Sequence, residues 1–211
     1  AELVTVSAAL FMVYAVRLSR STLLRRLMPL TLVGYAAPGA VLALGLLVPL
    51  AALDHRLADG ILGLTGWDPG LMITGTAFAI GLAYVVRFFG IAQGAVEAAF
   101  DRVAPSLPMA ARSLGRTAGG ALGAVYLPLM LPSREEALLG SVLTACLVVF
   151  VDCVKELPAT LLLRPFNFNT LSTRVYELAS LERLSEAAPA ALVVMAVGMI
   201  AVWLVARGER D

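Results

Sequence analysis

Three charged side chains stand close together at the end of a long apolar stretch: Asp152, Lys155 and Glu156. On a helix, Asp152 and Glu156 share a face, and Lys155 lies within reach of Asp152. Carboxylate oxygens suit a hard cation, by extension of what Ca²⁺ and Mg²⁺ prefer, and charges in a membrane helix are candidates for a functional role. The three residues are therefore candidates for a cation path. The alternative, which is the favoured interpretation, is a structural ion pair that pins the helix end before Pro158.

Other residues that could do chemistry are few. His55 is the only histidine, so it cannot build a metal site or a triad alone. Cys146 and Cys153 lie seven residues apart, too far for a disulfide along one helix, and are expected to be small buried hydrophobes. No Gly-x-x-x-x-Gly-Lys-Ser/Thr loop is present, so the chain is not expected to hold ATP in the usual way. We therefore predict no catalytic residue, no cofactor and no bound metal, and a net charge of +1 argues against nucleic acid.

The elements that position these residues are predicted to be membrane helices. Apolar residues make up 60% of the 211 residues, and the mean hydropathy is +0.87, well above a soluble domain of about 45–50% apolar residues. The surplus falls in long runs that must face lipid. We predict an all-α polytopic membrane bundle, a single domain over residues 1–211, with about five transmembrane helices. These cover residues 3–16, 30–53, 71–89, 132–158 and 187–206, and the second contains Pro38 and Pro49.

Arginine distribution predicts the orientation. The loop from Arg17 to Arg26 is placed in the cytoplasm. Residues 90–132 then form a cytoplasmic segment, and residues 154–186 form an external one, which is either a solvated surface or a docking site. Arg87 is expected to snorkel to the cytoplasmic interface. The chain starts inside an apolar stretch and shows no signal-peptide pattern, as expected for a piece of a longer membrane protein.

A short helix is predicted in the cytoplasmic segment, between residues 105 and 115. Ser106 is the predicted N-cap, Pro108 fits the first turn, and Gly115 fits the position just past the helix end. Ala110 and Ala111 are small, which would let another surface approach closely. From helix physics alone, an ordinary interfacial loop helix is the favoured interpretation.

The same segment resembles a motif of binding-protein-dependent importer permeases of the ATP-binding-cassette class. That motif reads Glu-Ala-Ala, three residues, Gly, nine residues, then Ile-x-Leu-Pro; here Met109-Ala110-Ala111 precedes Gly115, and Val125-Tyr126-Leu127-Pro128 follows at the matching distance. The resemblance implies that this helix docks into the ATPase and transmits its closure to the membrane helices. It assigns six residues to that coupling: Met109, Ala110, Ala111, Gly115, Leu127 and Pro128.

The sequence departs from the motif at one position, where Met109 replaces the glutamate. Met109 cannot complete a capping box with Ser106, a loss on the order of 1 kcal/mol. A charge contact to the ATPase would also be missing. Coupling remains the prediction, with its strength left open.

Further segments look like ferric-iron importer permeases: Gly34–Gly39, Ala83–Phe88, Phe150–Phe168 and Thr173–Glu177. The resemblance implies a methionine-permease-like fold, the core of a type I importer in the bacterial inner membrane. It also implies that this chain is the second of two homologous halves.

The implied function is import of ferric iron, with substrate passed from a periplasmic binding protein to the cytoplasm by alternating access. The implied partners are ABC ATPase subunits, the periplasmic binding protein, a second permease half and membrane lipid. Related permeases for thiamine, polyamines, phosphonates or sulfate are the alternatives. A non-transporting membrane scaffold or sensor is the alternative of another class, and Met109 is its only support.

Overall fold

The structure is a computed structural model that describes residues 1–19, 21–130 and 141–208. These residues form helices and connecting turns, without a strand. A 3₁₀ turn covers Met28–Thr31, and a π turn covers Leu122–Tyr126. In chain order, the α-helices are α1 (Glu2–Ser19), α2 (Thr22–Leu27), α3 (Leu32–Ala36), α4 (Gly39–Thr65), α5 (Ala77–Asp101), α6 (Ser106–Ser113), α7 (Ala118–Ala121), α8 (Leu127–Met130), α9 (Ser141–Lys155), α10 (Pro158–Leu163), α11 (Leu171–Ser180) and α12 (Leu184–Gly208).

Four of the described helices are long and apolar enough to cross a membrane: α1, α4, α5 and α12. This confirms the prediction of an all-α polytopic bundle. The predicted span over residues 132–158 lies partly in residues 131–140, outside the described residues. Its described part is α9, a 15-residue apolar helix.

Helix α5 forms the centre of the bundle, with α1 and α9 packed against it. Its contact face carries small residues at helical spacing, including Ala79, Ala83 and Ala92, which are fully buried. Small side chains let helix backbones approach closely inside a membrane. Of the four long helices α5 is the most enclosed and α12 the least, since α12 packs mainly on α9 and α11.

The second predicted span is broken, which corrects the continuous helix predicted over residues 30–53. Helix α3 ends at Ala36, Ala37 is extended with ψ 137°, and Pro38 is the N-cap of α4. A proline ring clashes with a helical residue before it and supplies no N–H, so the chain leaves the helix there. Pro49, in contrast, lies inside α4 as predicted. The predicted end of this span at residue 53 is also wrong, because α4 continues to Thr65.

The two ends of the bundle are marked by polar contacts. At one end, Arg17 of α1 pairs with Asp101 of α5 at 2.6 Å. Helix α5 thus continues through residues 90–101, the first twelve residues of the predicted cytoplasmic segment, instead of ending near residue 89. At the other end, Asp54 of α4 binds the loop that precedes α5. We refer to these as the Arg17 end and the Asp54 end.

Candidate functional site

The segments that resemble ferric-iron importer permeases meet inside the bundle. The break between α3 and α4 at Ala37, the middle of α5 at Arg87, and the break between α9 and α10 at Glu156 are joined by hydrogen bonds. Beside them, the Tyr84 and Thr160 hydroxyls lie 2.6 Å apart and are both buried. Residues far apart in sequence thus form one polar centre in an apolar bundle, which we call the central cluster.

Arg87 is the hub of the central cluster. Its Nε donates to Glu156 Oε2 at 2.9 Å, and one terminal nitrogen donates to the Ala37 carbonyl at 2.7 Å. The side chains of Arg87 and Glu156 are only 16% and 7% exposed. At a rise of about 1.5 Å per residue, Arg87 lies about 15 Å from Ala77 and about 21 Å from Asp101 along α5.

This geometry corrects the prediction that Arg87 snorkels to the cytoplasmic interface. From the interior of α5 its side chain reaches a buried carboxylate and a carbonyl freed by the break at Ala37. Charged residues inside a membrane generally face the bundle interior and pair with one another or with backbone carbonyls. Arg87 and Glu156, assigned from sequence to opposite sides of the membrane, therefore lie at the same depth.

Asp152 and Lys155 form a second ion pair, one helical turn before Glu156. Lys155 Nζ lies 2.5 Å from Asp152 Oδ1, which confirms the i,i+3 pairing predicted from the spacing. Asp152 is buried, whereas the Lys155 side chain is 64% exposed. Glu156 does not share this pair, because α9 ends at Lys155 and the chain then turns toward Arg87. The three predicted path residues thus belong to two neighbouring ion pairs.

The segment from residue 154 to 186, predicted to be external, begins inside the bundle. The Ser172 hydroxyl of α11 donates to the Val154 carbonyl at the end of α9. Farther along, Arg164 pairs with Glu177 at 2.5 Å, and Asn169 donates to the same carboxylate at 2.9 Å. The hydrogen bond from Arg164 holds the pKa of Glu177 below its ordinary value. Any stability from this contact is therefore present at neutral pH and is lost as the pH falls through that lowered pKa.

Helix α6 lies past the Arg17 end and has the C-terminal geometry predicted for it. Gly115 has φ +85°, its N–H donates to the Arg112 carbonyl at 3.0 Å, and the Arg116 N–H donates to the Ala111 carbonyl at 3.1 Å. These two bonds define a Schellman motif, in which glycine at a left-handed position satisfies the last carbonyls of a helix.

The N-terminus of α6 corrects one prediction. Pro105 is the N-cap and Ser106 is the first helical residue, so Ser106 makes no capping hydrogen bond. The position three residues after the cap is Pro108 rather than Met109. A glutamate at 109 would therefore not complete a capping box here.

The coupling residues predicted on α6 are mostly exposed. Met109 is 63% exposed, Ala110 is exposed and Ala111 is half-buried. Two further apolar side chains, Leu107 and Leu114, are 45% and 85% exposed. The short helix therefore exposes several apolar side chains, Leu107, Met109, Ala110 and Leu114, which we call the α6 surface.

An aromatic cluster connects the segment after α6 to two spanning helices. Tyr126, inside the second part of the coupling motif, packs edge-on against Phe100 of α5 and Tyr14 of α1, with ring centroids 4.8 and 5.6 Å apart. The Tyr14 hydroxyl donates to the Ala118 carbonyl at 2.5 Å, and the Arg17 guanidinium lies 5.2 Å from the Phe100 ring centroid. Leu127 is half-buried beside this cluster and Pro128 is exposed.

Asp54 closes the opposite end of the bundle. Its fully buried carboxylate accepts the backbone N–H groups of Met72, Ile73 and Thr74 at 2.6–3.1 Å, and the Thr74 hydroxyl at 2.5 Å. Asp54 directly follows the predicted end of the second span, and no binding role was predicted for it. Its signal would have been a carboxylate that directly follows the apolar run of residues 30–53.

We expect Asp54→Asn to loosen the loop before α5 by about 2 kcal/mol, because an amide offers one acceptor oxygen and turns an NH₂ toward backbone donors. Hydrogen exchange at Met72–Thr74 should then accelerate about thirtyfold, the ratio that corresponds to this energy. Asp68→Asn is the matched control, since Asp68 is exposed and accepts one bond, from the Gly70 N–H at 2.9 Å. Equal exchange rates at Met72–Thr74 in both variants would contradict the conclusion that Asp54 holds this loop in place.

Together these features define a multi-pass helical membrane protein with a charged centre and a short exposed helix at one end. Over 202 residues, 96% of its length, the chain is 30% identical to the Fe(3+)-transport system permease protein FbpB 2 of Haemophilus influenzae. It spans 35% of that protein's length. This similarity confirms the resemblance to permeases that the motifs predicted. No family model matches the chain. The four apolar helices and the similarity point to a multi-pass protein of the inner membrane.

Proposed function

We propose that the chain is the translocation part of an ATP-driven importer of ferric iron. The observation that carries this proposal is the similarity, along nearly the whole chain, to a permease of Fe(3+) transport. Import would require ABC ATPase subunits, a second permease half and a periplasmic binding protein that delivers the substrate. The Arg17 end would face the cytoplasm, in keeping with the arginine bias, and the Asp54 end would face the periplasm.

The α6 surface supports the docking of an ATPase at the cytoplasmic side. Exposed apolar side chains on a helix that is anchored by its buried Pro108 form a surface suited to a hydrophobic groove. The Schellman motif at Gly115 holds the end of that helix in one conformation. Met109, Ala110, Ala111 and Gly115 would contact the ATPase.

The aromatic cluster supports a route for the ATPase movement into the membrane. A displacement of α6 would be passed along the following segment to Tyr126, with Leu127 and Pro128 directly after it, and from Tyr126 to α1 and α5. Packed aromatic rings resist deformation, so the helices would move together rather than bend. Alternation between inward-open and outward-open bundles would follow as a rigid-body movement.

Asp152, Lys155 and Glu156 are proposed to line the substrate path. They lie at the break between α9 and α10, and broken helices at mid-depth are where transporter folds build their substrate sites. Each carboxylate is paired with a cation, and no group of three or more His, Cys, Asp or Glu side chains that could hold a metal occurs among residues 1–19, 21–130 and 141–208. This arrangement suits passage rather than retention, with affinity supplied by the binding protein.

The test is uptake of radiolabelled Fe³⁺ into proteoliposomes that contain the full-length permease, its ATPase and its binding protein. We expect uptake that requires ATP and all three components. Absence of iron uptake, with intact stimulation of the ATPase by the binding protein, would exclude iron and direct the search to thiamine, polyamines, phosphonates or sulfate. If the assembled complex shows neither uptake nor stimulation, the importer function is wrong and a scaffold role takes its place.

A further inference from the structure

The cation in the central cluster is a side chain of the protein, the guanidinium of Arg87. Arg87 projects from the middle of α5, where a charged side chain is costly unless it is paired. Its two acceptors, Glu156 Oε2 and the Ala37 carbonyl, both come from points at which a helix is interrupted. The guanidinium therefore bridges two helix breaks, and within the described part of the chain no backbone hydrogen bond joins them.

The surroundings leave little room for anything else in that position. A Cβ added at Gly39, which follows the break at Pro38, would lie 2.6 Å from Glu156 Oε1 and 3.5 Å from Arg87 Cζ. The remaining oxygen of Glu156 is occupied as well, because Oε1 accepts the Ala159 N–H at 3.3 Å. The oxygen-lined gap between the two breaks is thus filled by the Arg87 guanidinium.

We infer that Arg87 acts as a tethered cation that closes the bundle at mid-depth, by occupying the oxygen-lined gap between the α3–α4 break and the α9–α10 break. While it is bound there, the Glu156 carboxylate is neutralised and unavailable to a cationic substrate. Substrate passage requires the pair to separate, which frees both breaks to act as hinges. Arg87 is a positioning residue in this scheme, and the link to substrate rests on the proposed transport function.

Cys153 is a natural reporter for closure of the gap. It is 7% exposed, packs in the apolar core, and lies one turn before Glu156, whose N–H donates to the Cys153 carbonyl at 3.3 Å. A thiol reacts with a water-soluble reagent only where water reaches it and allows it to ionise. The labelling rate of Cys153 therefore measures water access beside the Arg87–Glu156 pair and requires no knowledge of the substrate.

The experiment uses the full-length permease in lipid nanodiscs, with Cys146→Ala as the background and the anionic 2-sulfonatoethyl methanethiosulfonate as the probe. Modification of the Cys153 peptide is followed by mass spectrometry. We expect Arg87→Gln and Glu156→Gln each to raise the labelling rate about tenfold or more, because each leaves one buried charge without its partner. The double variant Arg87→Gln/Glu156→Gln should return to within about threefold of the parent, because two neutral amides can pair.

Two further variants separate closure from general loosening. Arg183→Gln breaks an exposed ion pair with Glu186 and should leave Cys153 protected. Arg87→Lys keeps the charge but lacks the planar fork that reaches two acceptors, so its labelling rate should lie between those of the parent and Arg87→Gln.

The outcomes distinguish this inference from the proposed function. If neither single variant raises the labelling rate of Cys153, the inference that Arg87 closes the bundle is overturned. It is also overturned if the double variant is labelled as fast as the single variants, because the cause would then be lost packing rather than loss of the ion pair. Failure of the proteoliposomes to take up iron, with the labelling pattern as expected, would reject the substrate and leave the closure by Arg87 standing.

Discussion

Gly115→Ala is expected to reduce ATP-dependent uptake about tenfold, and Gly115→Glu is expected to abolish it, with both proteins still inserted in the membrane. Gly115 has φ +85°, a conformation that costs a residue with a Cβ about 1–2 kcal/mol, which corresponds to roughly a tenfold change in the population of the correct α6 end. Glutamate adds a charge on the α6 surface. The measurement is uptake into proteoliposomes, together with binding of the ATPase to the solubilised permease.

Two control variants identify the reason for such a loss. An added Cβ at Gly115 meets no atom of the described residues within 4 Å, so conformation or a partner is the expected reason for any harm. Asparagine tolerates the left-handed region of backbone conformation. If the backbone conformation at residue 115 is what matters, Gly115→Asn should therefore retain most uptake. If the ATPase approaches the glycine closely, Gly115→Asn should lose uptake as Gly115→Ala does. Gly119→Ala, in the neighbouring α7 with the same open space, should be neutral. Full uptake by Gly115→Ala would refute the coupling role.

Gly34→Ala is expected to destabilise the permease by about 3 kcal/mol, the upper part of the range for overpacking a core. An added Cβ would lie 2.3 Å from the Val86 carbonyl oxygen and 3.2 Å from its carbon. Both are backbone atoms of α5, the central helix, so neither can move aside as a flexible side chain would. The variant should force α3 away from α5 and thereby displace Ala37 from Arg87.

The measurement is the thermal unfolding midpoint of the full-length permease in detergent, with Gly45→Ala as the matched control. Gly45 also lies in an apolar helix of the second span, but an added Cβ there meets nothing within 4 Å in the described part of the chain, and alanine is the better helix former by about 1 kcal/mol. Its midpoint should be unchanged or slightly raised. Equal midpoints for the two variants would contradict the close contact between the α3 and α5 backbones.

These substitutions also explain why the segments that resemble ferric-iron importer permeases contain the residues they do. In Gly34–Gly39, the first glycine lets α3 touch the α5 backbone and the last leaves room for the Arg87–Glu156 pair. In Ala83–Phe88, Tyr84 binds Thr160 and Arg87 binds Glu156. The resemblance thus corresponds to one packed centre rather than to separate local features.

By itself the sequence determined what depends on near neighbours along the chain. Long apolar runs predicted the spanning helices. In lipid, unpaired backbone N–H and C=O groups are costly, and a helix pairs these groups within the run itself. The glycine past the end of α6 and the Asp152–Lys155 pair also follow from local geometry, since both join residues within one or two helical turns.

Only the tertiary structure decided which distant residues share the centre of the bundle. Arg87 and Glu156 are 69 residues apart, and Tyr14 and the Ala118 carbonyl are 104 apart, so no helical periodicity relates them. An arginine near the end of a predicted span is equally compatible with an interfacial or a buried position. Two structural features place Arg87 in the interior: α5 extends to Asp101, and the two helix breaks supply acceptor oxygens to the guanidinium. Burial of the charge is tolerated because these hydrogen bonds compensate it, and only the packed helices bring the acceptors into position.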